Sequence, residues 1–218
     1  MNTKSSIPKR IPNFIGGQEQ EGHVGREFLK LNPATGAELC SVARSNETDV
    51  GAAVGAARRA QSAWSEMTPV ARGDLLREAA LLMRERREEF AEIVSLETGK
   101  SMKDARGETE AAVEMGLFVA GEGRRFYGKT TTSAVPNRTS FVVRQPLGVA
   151  GLIIAANTPI ANVAWKAYPA LLCGNAAVMK ASEDTPVTAW AAAKVFHEVG
   201  MPPGVFNVVQ GFGLEAGA

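Results

Sequence analysis

Between positions 148 and 209 the chain alternates three apolar runs with two helical patterns. Residues 148–156 form a continuous run rich in Val, Ile and Leu, which suits a parallel strand covered on both faces. An apolar helix follows over 160–172, closing at Gly174, where a residue without Cβ can take the left-handed conformation. Residues 176–179 make the second strand. Ser182, Glu183, Asp184 and Thr185 then offer caps for a helix over 186–199, with Pro186 in its first turn and Gly200 at its end. Residues 205–209 are the third strand. This order predicts an α/β fold built on an open parallel Rossmann-like sheet, flanked by helices and joined by right-handed crossovers. Ligands of such sheets lie outside the carboxyl ends of the strands. Three polar groups fall there: Asn157 after the first strand, Lys180 with Glu183 after the second, and Gly211 with Gly213 after the third.

The preceding residues read as a scaffold for that unit. Short apolar pieces in 14–43 are broken by Gly16-Gly17, Gly22, Asn32-Pro33 and Gly36, as in a pair of hairpins. Asn46 or Thr48 caps a helix whose Ala52, Ala53, Ala56, Ala57 and Ala60 allow close packing. A single long helix is expected over 69–98, with Leu75, Leu76, Leu82, Phe90 and Val94 near helical spacing and Gly99 at its end. A third helix covers 102–125. Around Pro136-Asn137 the β-formers Thr130 to Thr132 and Ser140 to Val143 predict a projecting β-hairpin, which needs a partner sheet. The last strand, 205–209, would leave an unprotected apolar edge if nothing followed it, making the isolated chain poorly soluble.

Composition narrows the partners. The 218 residues are 45% hydrophobic, enough for a sizeable core, and the net charge of +1 is spread over interspersed acids and bases. Nothing there points to nucleic acid or an acidic membrane. No apolar run approaches the roughly 18 residues that would span a bilayer. The opening MNTKSSIPKR is basic and is followed by no apolar stretch, which reads as a soluble tail. Cys40 and Cys173 show no metal or disulfide spacing, so no metal is expected, and a reducing cytoplasm is the simplest setting.

Taken singly, the polar residues admit two readings each. Asn157 precedes Thr158-Pro159, where asparagine commonly supplies turn or cap chemistry. Lys166, alone in an apolar helix, could snorkel to the surface. Lys180 and Glu183 could be a surface ion pair worth on the order of 0.5 kcal/mol. GFGLEAG by itself is a weak nucleotide signal.

Taken in order, they say more. PLGVAGLIIAAN, WKAYPALLCGN, VMKASEDTP and NVVQGFGLEAGA, preceded by FIGG, NPATG, AVGAARRAQSAW and ETGK, resemble in sequence and spacing the motifs of the aldehyde dehydrogenase superfamily across nearly the whole chain. The resemblance implies NAD-dependent oxidation of an aldehyde to a carboxylic acid through a cysteine thiohemiacetal. Asn157 would donate to the oxyanion, a contribution of about 3 kcal/mol. Trp165 would line the substrate passage and Lys166 would assist proton movement. Ile154, Ala156, Asn157, Lys180, Ser182, Glu183, Gly213 and Gly217 would hold the cofactor. Glu183, accepting from the ribose hydroxyls, would repel a 2′-phosphate and favour NAD over NADP, although Lys180 with Ser182 could take the phosphate. Residues 1–129 would be hairpins and helices packed on the cofactor domain, 130–146 the oligomerisation hairpin of a homodimer or homotetramer, and 147–218 the first part of the cofactor sheet.

Two departures are visible. Ala155-Ala156 and Ala181 stand where similar proteins often carry Pro-Trp and a proline. The family's cysteine nucleophile and its glutamate fall beyond Ala218, so the catalytic domain is expected to be absent. Cys40 lies in an early strand region, and Cys173 sits at a buried helix end with no basic group expected beside it. The chain alone is therefore not expected to oxidise aldehydes. Alternatives are a relative that makes acyl-CoA or reduces an acyl phosphate, and a truncated non-catalytic protein that binds nucleotide or associates with full-length subunits.

Overall fold

A computed structural model describes residues 7–23 and 25–218; the first six residues of the basic opening segment lie outside the described residues. Strands β1 (Arg10–Ile11), β2 (Asn13–Ile15), β3 (Gln18–Gln20), β4 (Glu27–Leu31) and β5 (Glu38–Ala43) come first. They include the two expected hairpins, β2 with β3 and β4 with β5, both antiparallel. Glycines with positive φ, Gly16 and Gly17, make the first turn. β1 adds in parallel to β5.

Helix α1 (Glu47–Glu66) starts at Asn46, whose side chain accepts from Thr48 N–H at 3.0 Å while Asp49 returns a bond to the Asn46 N–H, a reciprocal cap. The helix expected over 69–98 is two: α2 (Pro69–Glu85) and α3 (Arg87–Thr98), parted at Arg86, whose φ and ψ of −95° and 19° leave the helical region. Apolar spacing runs on across the break, so periodicity does not reveal it. Arg86 turns outward to Glu198 at 2.6 Å. α4 (Met102–Glu122) ends in a short 3-10 turn over Gly123–Arg125. It approaches its neighbours closely because Gly116 has no Cβ: one built there would stand 2.8 Å from the Tyr168 ring and 3.0 Å from Ala80 Cβ.

The remaining elements are β6 (Lys129–Thr132), β7 (Thr139–Val142), β8 (Val149–Ile153), α5 (Pro159–Leu172), β9 (Ala176–Lys180), α6 (Pro186–Glu198), β10 (Phe206–Val209) and α7 (Gly213–Ala216). β6 and β7 form the expected hairpin as a separate two-stranded sheet, exposed throughout, with Asn137 at positive φ in its turn.

The central sheet has the order β3-β2-β10-β9-β8. β8, β9 and β10 are parallel, as expected. The apolar edge anticipated at 205–209 does not exist, because β2 pairs antiparallel with β10 and its three residues are all buried. The sheet is therefore mixed. Among the described residues the unpaired edge of the parallel part is β8, and its expected burial on both faces does not hold, since Ile153 is 60% exposed.

Alternation along β9 separates two cores. Ala176 and Val178 pack with Ala53, Ala56 and Ala57 of α1 and with Ala216 of α7, while Ala177 and Met179 belong to the larger core with α5, α6 and the α2–α4 layer. Lys180 follows the parity of Val178 and so ends β9 on the α1 side.

Candidate functional site

Lys180 is buried at the carboxyl end of β9, and its Nζ lies 2.7 Å from Glu183 Oε2 in the turn that follows. Partial burial pushes the Glu183 carboxyl up, but the Lys180 hydrogen bond, Glu183's own N–H and the Lys180 charge outweigh it and hold the group below its ordinary range. The pair thus presents a fixed carboxylate at a strand end. Ser182 Oγ accepts from the Asp184 N–H at 3.3 Å.

Two clefts meet these groups. One, of about 170 Å³, is walled by β8, Val178, Lys180 and Gly217 and is mainly apolar. The other, of about 460 Å³, is bounded by Glu183, Arg44, Phe212, Gly213 and Leu214. Arg44 grips Glu215 through Nε at 2.8 Å and Nη2 at 2.5 Å, and its guanidinium lies 4.9 Å from the centre of the Phe212 ring. Phe212 in turn stacks on Phe28 at 4.8 Å. These contacts anchor the short α7 to the amino-terminal strands. Leu214, 94% exposed, projects from it. Arg44 carries no motif, and only the distant Glu215 marks it, so sequence reasoning passes it over.

Asn157 lines a different cleft from that pair. Its side chain is exposed, in a cleft of about 310 Å³ that it shares with Lys30, Glu97, Lys100, Ala156 and Asp184. Its backbone oxygen accepts from Lys100 Nζ at 2.9 Å, and its Oδ1 lies 3.5 Å from Asn162 Nδ2. Thr158, at the start of α5, makes no side-chain cap; Glu108 of α4 does so instead, accepting from the N–H groups of Ile160 and Ala161 at 3.0 and 3.4 Å. The caps expected for α6 among residues 182–185 are likewise unused. Glu97 supplies them from α3, accepting from Val187 N–H at 2.6 Å and from Thr188 N–H at 2.9 Å. Neither helix start is thus open to an anion from outside. A one-dimensional reading sees only local caps, which is why Glu97, Lys100 and Glu108 escape it.

Lys166 Nζ donates to the backbone oxygen of Ile153, at the end of the unpaired strand β8. Trp165 is half exposed on the same helix, and Ile154 is buried under the strand end. The cysteines differ in surroundings. Burial, with Glu97 adding to it, raises the Cys40 thiol to about 12. Cys173 was expected to lack a basic neighbour; the Arg72 guanidinium in fact interacts with it, while donating its hydrogen bonds to backbone carbonyls. Among the described residues no cluster of three or more His, Cys, Asp or Glu could hold a metal, and no helix is long and apolar enough to cross a membrane.

The profile described as "Aldehyde dehydrogenase family" matches residues 20–218. An aldehyde dehydrogenase of Davidiella tassiana is 37% identical over 206 residues, covering 94% of this chain and 41% of that protein. Among solved structures, an NADP dependent enzyme of E. coli superposes with a TM-score of 0.94 at 35% identity, covering 99% of this chain and 44% of the other. An NAD-dependent aldehyde dehydrogenase from Sinorhizobium meliloti gives 0.93 at 33% identity with the same coverage. The chain therefore spans about two-fifths of the length of these relatives.

Proposed function

The chain belongs to the aldehyde dehydrogenase family, and from that premise we propose that it supplies the cofactor side and the oxyanion donor of an enzyme oxidising an aldehyde to a carboxylic acid. The observation that carries this is the Lys180–Glu183 pair at the end of a parallel strand, 2.7 Å apart and directed to the mouth of two clefts. A carboxylate kept ionised by its own lysine is an acceptor for two vicinal ribose hydroxyls. NAD, when bound, is the electron acceptor of the reaction.

The residues of this chain then have separable tasks. Glu183 and Lys180 hold the adenosine ribose, with Ser182 beside them. Gly213 and Gly217 leave room for the cofactor at the start and end of α7, and Ile154 and Ala156 form the floor at the end of β8. Glu183 repels a 2′-phosphate, which favours NAD over NADP. Asn157 directs its side-chain amide at the carbonyl oxygen of the substrate as negative charge develops there. Trp165 flanks the approach. Lys166, held on the Ile153 carbonyl, is available to relay a proton along α5. Neither cysteine suits the nucleophile: Cys40 is buried with a raised pKa, and Cys173 lies at the far end of α5 from Asn157. The nucleophile therefore comes from residues outside 1–218, and the unpaired edge of β8 is where further strands of the sheet join.

The exposed hairpin at 130–146, with Phe141, Val142 and Val143 turned to solvent, is the contact through which the complete protein forms a homodimer or homotetramer. The described residues of 1–129 pack on the cofactor unit at 147–218.

Calorimetric titration of the purified chain with NAD and with NADP tests the assignment. The expected result is saturable NAD binding, weaker binding of NADP, and a loss of at least about tenfold in NAD affinity in Glu183→Ala, in line with removal of a charge-assisted hydrogen bond. NAD binding that Glu183→Ala leaves unchanged, or no binding by a folded sample, would overturn it.

A further inference from the structure

The turn between α3 and α4 carries Lys100, which reaches across to the strand end where Asn157 stands. We propose that Lys100 is a positioning residue for Asn157, an inference that rests on the reading of Asn157 as the oxyanion donor. Lys100 Nζ donates to the Asn157 backbone oxygen at 2.9 Å and also to Glu108 Oε2. The side chains of this ion pair are 20% and 6% exposed. The other oxygen of Glu108 accepts from the N–H groups of Ile160 and Ala161, the second and third residues of α5. One carboxylate therefore bridges an ammonium and a helix start, and the ammonium in turn holds the carbonyl just ahead of that helix.

The segment Asn157-Thr158-Pro159 runs between these two anchors. Thr158 gives its own helix no cap, so the geometry of the turn comes from Lys100 and Glu108. Asn162 completes the arrangement: its Nδ2 lies 3.2 Å from Thr158 Oγ1, 3.3 Å from the Ala155 oxygen and 3.5 Å from Asn157 Oδ1. The acceptor end of the Asn157 amide is thereby turned toward α5, and its N–H groups are left to donate outward. Because the Asn157 side chain is exposed, no packing aims it. Apart from the Asn162 contact, its direction follows from its backbone.

The demand on that direction is strict. An oxyanion donor has to sit within a few tenths of an ångström of its acceptor, and a displacement of about 1 Å costs on the order of 100-fold in rate. Restraining the Asn157 carbonyl fixes the Cα–Cβ vector from which the amide springs. A lysine whose only task is to neutralise buried Glu108 would have no such tie to the rate.

Steady-state kinetics of the full-length dehydrogenase that contains residues 1–218 separates these cases, using Asn157→Ala, Lys100→Met, Lys100→Arg and the Lys100→Met/Asn157→Ala pair. Asn157→Ala is expected to lower kcat on the order of 100-fold. Lys100→Met is expected to lower kcat about tenfold with the NAD Kd unchanged, Lys100→Arg to regain most of that rate, and the double variant to be no slower than Asn157→Ala alone. An effect of Lys100→Met that multiplies with Asn157→Ala, or no effect on kcat, overturns the positioning role. If Asn157→Ala itself leaves kcat intact, the oxyanion reading fails, and Lys100 loses its task with it. Should Lys100→Met fail to fold, Lys100→Gln, which also removes the charge, takes its place in the cycle and is judged by the same non-additivity.

Discussion

Glu97 Oε2 accepts from both the N–H and the hydroxyl of Thr188, at 2.9 and 2.6 Å, although 91 residues separate the two. Through this contact α3 closes the start of α6 with a fully buried carboxylate. Glu108 does the same for α5, so both helices behind the central sheet are capped by glutamates of the layer that covers them. The positive ends of these helices are satisfied internally.

That arrangement makes stability depend on pH. Burial raises the Glu97 carboxyl to about 7, against the Thr188 hydroxyl, the two N–H groups and the charge of Lys30, which pull it down. In the unfolded chain the group ionises near 4.5. Between these values the folded chain keeps a proton that the unfolded chain has lost, so this group's contribution falls as pH rises from about 4.5 to about 7 and is level above. Urea midpoints at about pH 5 and about pH 7.5 should differ in the wild type in that sense, and Glu97→Gln should flatten the difference.

Gly116→Ala should destabilise the chain. In an exposed helix the change would gain about 1 kcal/mol of helix propensity. Here the new methyl meets the Tyr168 ring at 2.8 Å and Ala80 at 3.0 Å, both fully buried, and overpacking of that kind costs about 1–3 kcal/mol. The clash prevails, and the thermal midpoint should fall.

What was legible in the sequence is what local chemistry decides. Asn46, one of the two caps expected, starts α1 by accepting from the Thr48 N–H, Gly174 ends α5 at positive φ, and Lys180 meets Glu183 within one turn. The three parallel strands follow from their apolar runs. What was hidden depends on partners far away in sequence. β2 covers β10, Arg44 holds Glu215, Lys100 holds Asn157, and Glu97 displaces the caps that residues 182–185 offered. The break at Arg86 was hidden for a different reason, since apolar positions keep their helical spacing through it.

Cys40 should resist alkylation in the native chain. Its thiol is 1% exposed, and burial holds it at about 12, so almost no thiolate exists near neutral pH. Iodoacetamide at about pH 8 should leave Cys40 unmodified until denaturant is added, as read by peptide mass spectrometry. Ready labelling of the folded chain would mean that β5 opens far more often than its packing allows.

Arg72 is the counterpart of the two glutamates at the opposite helix ends. Its Nε donates to the Leu172 oxygen at 2.9 Å, and its Nη1 serves the oxygens of Trp64, at 3.4 Å, of Ser65, at 3.2 Å, and of Met67. These carbonyls close α1 and α5, neither of which has a basic residue in its own last turn. Burial lowers the guanidinium's pKa, yet no group so basic loses its proton near neutrality. Arg72→Met keeps the stem and strands the carbonyls, with a loss of about 3 kcal/mol expected from unsatisfied buried acceptors. Arg72→Lys should recover only part of it, because an ammonium is a point donor and cannot span two helix ends as the planar fork does. Urea unfolding of the three proteins decides the matter: a lysine variant as stable as the wild type would show that charge alone, and not the shape of the donor, joins α1 to α5.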